Sequence, residues 1–289
     1  VFRKYIDQWI GDNEVEFSRT AVYSFHAASA EKWSNGNIFL LGDAAHQMPP
    51  FMGQGMNSGC RDAENLLWKI NGVLKGLYSS KILETYETER KPHVARITRA
   101  AIKMGSVINA KSKFKALIRN AALRIQGYFK GKENIFPILN GNRLGQGVHN
   151  MPKIKDVSLE RYYFNEISVR LGDGRIQSTD KLLGKNFGII LNDFIGNKKI
   201  SDEYLEFLNK HNFKILNISG SYENSNYENY IACEDTHTDM KIYCDKYECN
   251  AIILRPDKYV FDIFNLETAS LDEIVATTIK SLEKTKLFN

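Results

Sequence analysis

The chain has 289 residues, 43% of them hydrophobic and 25% charged, a composition that suits a folded globular protein with room for one large or two medium domains. Its net charge of +5, from 39 basic and 34 acidic residues, is scattered along the sequence, which argues against a nucleic-acid partner. No run approaches the roughly 20 apolar residues that cross a bilayer, no signal-peptide pattern is visible, and the four cysteines (Cys60, Cys233, Cys244 and Cys249) lack the spacing of a disulfide framework or a zinc site. A cytoplasmic protein with reduced thiols, no metal and no membrane partner is expected.

Taken in chain order, Val15 to Ala28 is rich in aromatic and β-branched residues with partial alternation, which predicts a strand or hairpin arm. After a turn at Ser34-Asn35-Gly36, the apolar run Asn37 to Leu41 predicts a buried strand feeding a loop at Gly42-Asp43. From Gly55, the positions Met56, Cys60, Ala63, Leu67, Ile70 and Leu74 recur at steps of four and three. That spacing predicts a helix with this face in the core, stopping at Gly76. A second helix is expected from Ser80 to about Arg90, ending near Pro92 because the residue before proline is pushed out of the α region. More helix is expected from His93 to about Lys130. The basic residues Lys111, Lys113, Lys115 and Arg119 within it read as a solvated face. Gly131 to Lys155 reads as a connector.

Beyond the connector the pattern changes. Asn186 to Leu191 and Phe213 to Ile218 read as buried strands around a helix at Asp202 to His211, a βαβ pattern. Tyr230 to Cys233, Ala251 to Arg255 and Tyr259 to Asn265 follow as strands, and Leu271 to Lys284 as a closing amphipathic helix. This order suggests a thioredoxin-like arrangement. With no cysteine between Leu191 and Ser201, dithiol exchange is not expected of it.

The chemistry concentrates between Gly42 and Gly59. A carboxylate at Asp43, at the end of a strand, can accept hydrogen bonds from hydroxyls such as those of a ribityl chain, and Gly42 allows close backbone approach. Pro49 and Pro50 stiffen the loop and remove two backbone donors, so a flat apolar ring could rest beside them. Gly53 and Gly55 bring a helix N-terminus, with its unpaired N–H groups and partial positive charge, toward an anionic group.

The block GDAAHQMPPFMGQGMNSGCRDAENLLWKINGVL resembles the second flavin-contacting motif of the FAD-dependent aromatic-ring monooxygenases, the p-hydroxybenzoate hydroxylase-like family. ETYETERKPH at Glu84 to His93 and AIILRPDKYV at Ala251 to Val260 are similar to its phenol hydroxylase and 3-(3-hydroxyphenyl)propionate hydroxylase branch. The resemblance implies an α/β (mixed α+β) chain. Its parts would be a substrate-sheet remnant at 1–30, the C-terminal part of the FAD-binding fold at 31–130, the connector at 131–160 and a thioredoxin-like domain at 161–289. It implies FAD contacts from Gly42, Asp43, Ala44, Pro50, Gly53, Gln54, Gly55, Met56 and Asn57, with Pro49, Phe25 and His26 near the substrate. It further implies NAD(P)H as reductant, O2 as co-substrate, a flavin C4a-hydroperoxide as the oxygen donor and a small phenolic or related aromatic substrate.

No catalytic acid or base is assigned. His46 is expected to bond to backbone, Arg61 and Asp62 to form a structural pair, and Arg90 to pair locally. Nothing in residues 1–40 resembles the family's GxGxxG turn, so a C-terminal portion of a longer enzyme, inactive alone, is expected. The alternatives are a shortened, inactive relative whose C-terminal domain mediates association, as in a homodimer, and a related epoxidase, halogenase or reductase.

Overall fold

In the computed structural model, residues 6, 9–11, 16–110, 112–130, 144, 163–194, 199–219, 222, 225–265, 270–285 and 288 are described. The expected connector, apart from Leu144, lies outside them. Four two-residue strands open the described fold: β1 (Ala28–Ser29), β2 (Ser34–Asn35), β3 (Ile38–Phe39) and β4 (His46–Gln47). β2 and β3 form a hairpin, and β1 pairs antiparallel with β4. The hairpin turns at Gly36, whose φ of 58° is a left-handed geometry that glycine adopts without strain.

Two expectations are corrected in this region. From Glu16 to Ala27 the chain is irregular and exposed, because a ladder needs a neighbouring strand and only Ala28–Ser29 finds one. The run Asn37 to Leu41 is a short hairpin arm with Ile38 exposed, not a buried strand. Its neighbour is the two-residue arm β2, too small to cover both faces.

Helices α1 (Gly55–Leu74), α2 (Thr85–Ile108) and α3 (Lys113–Lys130) follow. α1 ends where the spacing placed it, but its buried face is the opposite one. Ser58, Asp62, Asn65, Leu66, Trp68, Lys69 and Gly72 are buried, whereas Met56 is 80% exposed, Leu67 61% and Leu74 82%. Hydrophobic periodicity locates a stripe, but neighbouring elements decide which stripe is covered. Here the covering groups are ionic partners on α2 and in the C-terminal sheet.

α2 also runs through Pro92 instead of stopping before it. The proline forgoes one helical hydrogen bond. The helix persists because Tyr86, Glu89 and Arg90 before it and His93 and Val94 after it are all buried in tertiary contacts. The turn before α2, Ser80–Glu84, is 3-10 helix.

The C-terminal region is built on one seven-stranded sheet. Its strands are β5 (Ser168–Leu171), β6 (Ile176–Ser178), β7 (Gly188–Asn192), β8 (Lys214–Ile218), β9 (Tyr230–Asp235), β10 (Ala251–Leu254) and β11 (Val260–Phe264), in the order β11-β10-β7-β8-β9-β5-β6. β7, β8 and β9 are parallel, and the flanking strands antiparallel. Its helices are α4 (Thr179–Leu183), α5 (Asp202–Lys210), α6 (Asp239–Tyr247) and α7 (Leu271–Glu283).

Continuous apolar runs such as Gly188–Leu191 and Ala251–Leu254 are buried throughout because both sheet faces are covered. One face packs on Phe213, Ile274 and, from α1, Trp68; the other packs on Met240 and Cys244 of α6. α7 starts on a capping box, Ser270 with Glu273.

His211 lies beside the sheet face that packs on Phe213, against Phe207, which in turn contacts Phe213. It is 3% exposed and surrounded by the rings of Phe207, Tyr78 and Phe288, and neither ring nitrogen has a hydrogen-bond partner among the described residues. Burial pushes its pKa down from 6.5 to about 4. Between these values the unfolded chain binds a proton that the folded chain does not, so stability falls as pH drops through this interval, by on the order of 1–3 kcal/mol. Urea midpoints measured from pH 7 to pH 4 are expected to decline less steeply in His211→Phe than in the parent; parallel curves would remove His211 as the cause.

Candidate functional site

The Gly42 to Gly59 block folds as a short, tightly tied loop. A 3-10 turn at Gly42–Ala44 follows β3, β4 returns alongside β1, a second 3-10 turn forms at Pro50–Met52, and α1 begins at Gly55. Gly42 and Gly53 have φ of 54° and 60°, a region that strains other residues. The two ends of the block touch: a Cβ on Gly59 would sit 3.2 Å from the Cα of Gly42.

On the outer side, Asp43, Ala44, Pro50, Gly53, Met56 and Asn57 are exposed, while Gly42, Pro49, Gln54 and Gly55 are half-buried. A side chain on Gly53 would meet nothing within 4 Å. α1 starts without a side-chain cap and with no acidic residue in its first turn. The loop therefore presents a carboxylate, two prolines and an uncapped helix N-terminus on one short stretch of open backbone. Phe25 and His26 lie in the irregular segment leading into β1, both exposed, and β1 is the strand paired with His46–Gln47.

The inner side is polar and fully buried. Asp62 Oδ2 accepts a hydrogen bond from the Gly42 amide at 3.1 Å and lies 2.7 Å from His46 Nε2, and its Oδ1 accepts from Arg90 Nε at 2.8 Å. Arg90 also donates to the Ser58 carbonyl at 3.3 Å and lies 2.7 Å from His93 Nδ1. Burial raises the Asp62 pKa, but the bond to His46 and the charge of Arg90 outweigh it and hold the carboxyl below its usual range.

These contacts correct two expectations: His46 bonds to a carboxylate, and Asp62 pairs with Arg90 and His46 instead of Arg61. Arg90 pairs locally with His93, as expected, and also reaches Asp62, 28 residues away. A second ionic layer lies one helical turn further along. Asn65 and Lys69 of α1 meet Glu89 of α2, and Arg255 and Asp257 of the β10–β11 turn complete the set. The sequence held a signal for both layers: Asp62, Asn65 and Lys69 sit at i, i+3 and i+7, a polar stripe opposite the apolar one.

α2 also supports the loop from below through Gly105. A Cβ there would fall 2.2 Å from Phe51 Cε2. Gly105→Ala therefore forces the Phe51 ring, and the Pro50–Met52 turn that carries it, to move. The expected cost is about 1–3 kcal/mol of stability, read by urea denaturation and largely relieved when Phe51→Ala is added. An unchanged midpoint in the single variant would show that the ring can yield freely.

Comparison with known proteins places this geometry. Residues 6–101 match the family model for the FAD binding domain, and residues 163–278 match that for the HcaD C-terminal domain. Over these two stretches the chain is similar to flavin-dependent aromatic hydroxylases. It is 28% identical over 266 residues to a 3-(3-hydroxy-phenyl)propionate/3-hydroxycinnamic acid hydroxylase of Burkholderia cenocepacia, covering 89% of this chain and 49% of that protein. It is 31% identical over 260 residues to a probable NADH-specific resorcinol 4-hydroxylase of Rhodococcus jostii, covering 88% and 45%. The chain thus spans about half the length of the curated relatives it matches.

Its fold is shared with the flavin-dependent monooxygenase PieE, solved with FAD and substrate (TM-score 0.60, 20% identity, 91% of this chain and 50% of that one). It is also shared with aklavinone-11 hydroxylase, solved with FAD and aklavinone (TM-score 0.62, 17% identity, 90% and 46%). Among the described residues no helix is long and apolar enough to cross a membrane, and no group of His, Cys, Asp or Glu could hold a metal ion.

Proposed function

We propose that the outer face of the Gly42–Gly59 loop holds the flavin of an FAD-dependent hydroxylase acting on a phenolic or related aromatic compound. The observation that carries this reading is the uncapped N-terminus of α1, open to solvent beside the exposed carboxylate of Asp43. The residues fit the cofactor: Asp43 accepts hydrogen bonds from the ribityl hydroxyls, and Gly42, Ala44, Gly53 and Gln54 offer backbone without bulk. The amides of Gly55, Met56 and Asn57 face the pyrimidine edge, where the helix end favours negative charge. Pro49 and Pro50 lie beside the ring system. Phe25 and His26, on the segment entering β1, line the substrate side.

When bound, FAD would supply the redox chemistry, taking electrons from NAD(P)H and using O2 to oxygenate the aromatic ring. The chain's own residues bind, orient and bury, and none of them is assigned a proton transfer. The names of the relatives, which act on hydroxyphenylpropionate and resorcinol, support a phenolic substrate class. The domain division at 31–130 and 161–289 and a thioredoxin-like assignment for the latter belong to the same reading, supported by the order β11-β10-β7-β8 around α5 and α7.

A titration of the purified chain with FAD, followed by flavin fluorescence, tests the site. Saturable binding is expected, weakened roughly tenfold or more in Asp43→Ala, the loss of hydrogen bonds to a charged group worth about 1.5–3 kcal/mol. Equal binding by both proteins, or none by the parent, would remove Asp43 and its loop as the flavin site.

A further inference from the structure

We infer that the C-terminal sheet sets the shape of the flavin-facing loop, through Arg255 in the β10–β11 turn. The turn is built for this. The Lys258 amide donates to the Arg255 carbonyl at 2.9 Å, Pro256 occupies the second position, and Lys258 takes a left-handed φ of 62°. That geometry, a tight turn followed by a left-handed residue, puts Arg255 and Asp257 side by side. Asp257 accepts two bonds from Arg255, at 2.9 and 2.6 Å, which fixes the guanidinium plane. The remaining donors reach Glu89 on α2 at 2.8 and 2.9 Å, and the guanidinium lies over the ring of Trp68 on α1 at 5.3 Å. Asp257 also accepts from Asn65 on α1 at 3.0 Å.

One turn of the β-sheet therefore grips both helices of the flavin-facing half, at fully buried positions. Glu89 is followed directly by Arg90, and Asn65 lies one helical turn from Asp62, so the grip acts on the two residues whose pairing ties Gly42, His46 and Ser58. Such a chain of charge-assisted bonds transmits position because its members have few alternative partners in a dry interior. Arg255 is in this sense a positioning residue, and the C-terminal sheet has a role within the chain itself. The inference rests on the flavin reading only for what the loop binds.

The test is hydrogen–deuterium exchange on the full chain, comparing the parent with Arg255→Lys, which keeps the charge but loses the fork, and Arg255→Met. Both variants are expected to exchange the segment Gly42–Gly59 about tenfold faster while the strands Gly188–Asn192 and Lys214–Ile218 keep their protection. The Asp257→Asn variant, weakening the same guanidinium, is expected to give a smaller change of the same kind. Unchanged exchange in the loop, or acceleration of loop and strands together, would overturn the inference; if Arg255→Met unfolds, the other two variants decide. FAD titration of Arg255→Lys provides the second readout, with affinity expected to fall. Should the parent not bind FAD, the flavin reading fails, and the exchange data still decide whether the sheet shapes the loop.

Discussion

Glu89→Ala is expected to cost about 3–5 kcal/mol of stability, the range for removing one partner of a buried ion pair. Glu89 is fully buried, its carboxylate accepts from Arg255, Lys69 and Asn65, and its own pKa is held low by Arg255 and Lys69 against the upward push of burial. The set Lys69, Glu89, Arg255 and Asp257 is neutral as a whole. Deleting Glu89 leaves one positive charge in excess with no water to receive it.

Lys69 limits the damage. Burial, only partly opposed by Glu89, already brings its pKa down to about 8. Without Glu89 it falls further, and the amine sheds its proton near neutral pH. Adding Lys69→Met to Glu89→Ala is therefore expected to recover part of the loss, giving a coupling of at least about 1 kcal/mol in a double-mutant cycle read from urea unfolding. Additive losses, or a single-variant cost below about 1 kcal/mol, would mean that water reaches the cluster.

The second large effect is at Asp62. Asp62→Ala removes the carboxylate from Arg90, His46 and the Gly42 amide at once, and about 3–5 kcal/mol is again expected because Arg90 stays buried without its counter-charge. Asp62→Asn retains an acceptor and separates charge from hydrogen bonding. The native carboxyl has a lowered pKa, so its contribution is complete above the unfolded value of 3.8 and is lost as pH falls through the lower folded value. Acid titration of stability is expected to be shallower below pH 4 in Asp62→Asn than in the parent. If the two proteins lose stability in parallel, the pairing with Arg90 is not what holds this carboxylate ionised.

The two layers explain where sequence reading succeeded and where it failed. Strands β7, β8, β10 and β11 were legible because runs such as Gly188–Leu191 and Ala251–Leu254 are apolar on both faces, a signal that needs no knowledge of partners. The Gly42–Gly59 block was legible as a structured loop because its glycines and prolines each impose a local backbone demand. The faces of α1 were not. Met56, Leu67 and Leu74 satisfy the periodicity of a core stripe, yet Asp62, Asn65 and Lys69 are the buried side. Their burial depends on Arg90, Glu89 and Asp257, the last 192 residues from Asn65.

Pro92 misled for a related reason. Local propensity ends a helix there, and the burial of residues on both sides of it overrides that preference. The stretch Glu16 to Ala27 shows the converse, strand-like composition that stays irregular without a neighbour to pair with.

The ionic cluster between the helices and the sheet also constrains how this chain can change over generations. Glu89 and Arg255 are 166 positions apart but share two hydrogen bonds, so neither can drift alone without stranding the other's charge. Substitutions accepted at position 89 are expected to arrive with matching changes at positions 69, 255 or 257. Helix α2 and the C-terminal sheet are in this respect a single hereditary unit, and a recombination that exchanged the sheet for that of a relative would have to bring a compatible α2 with it.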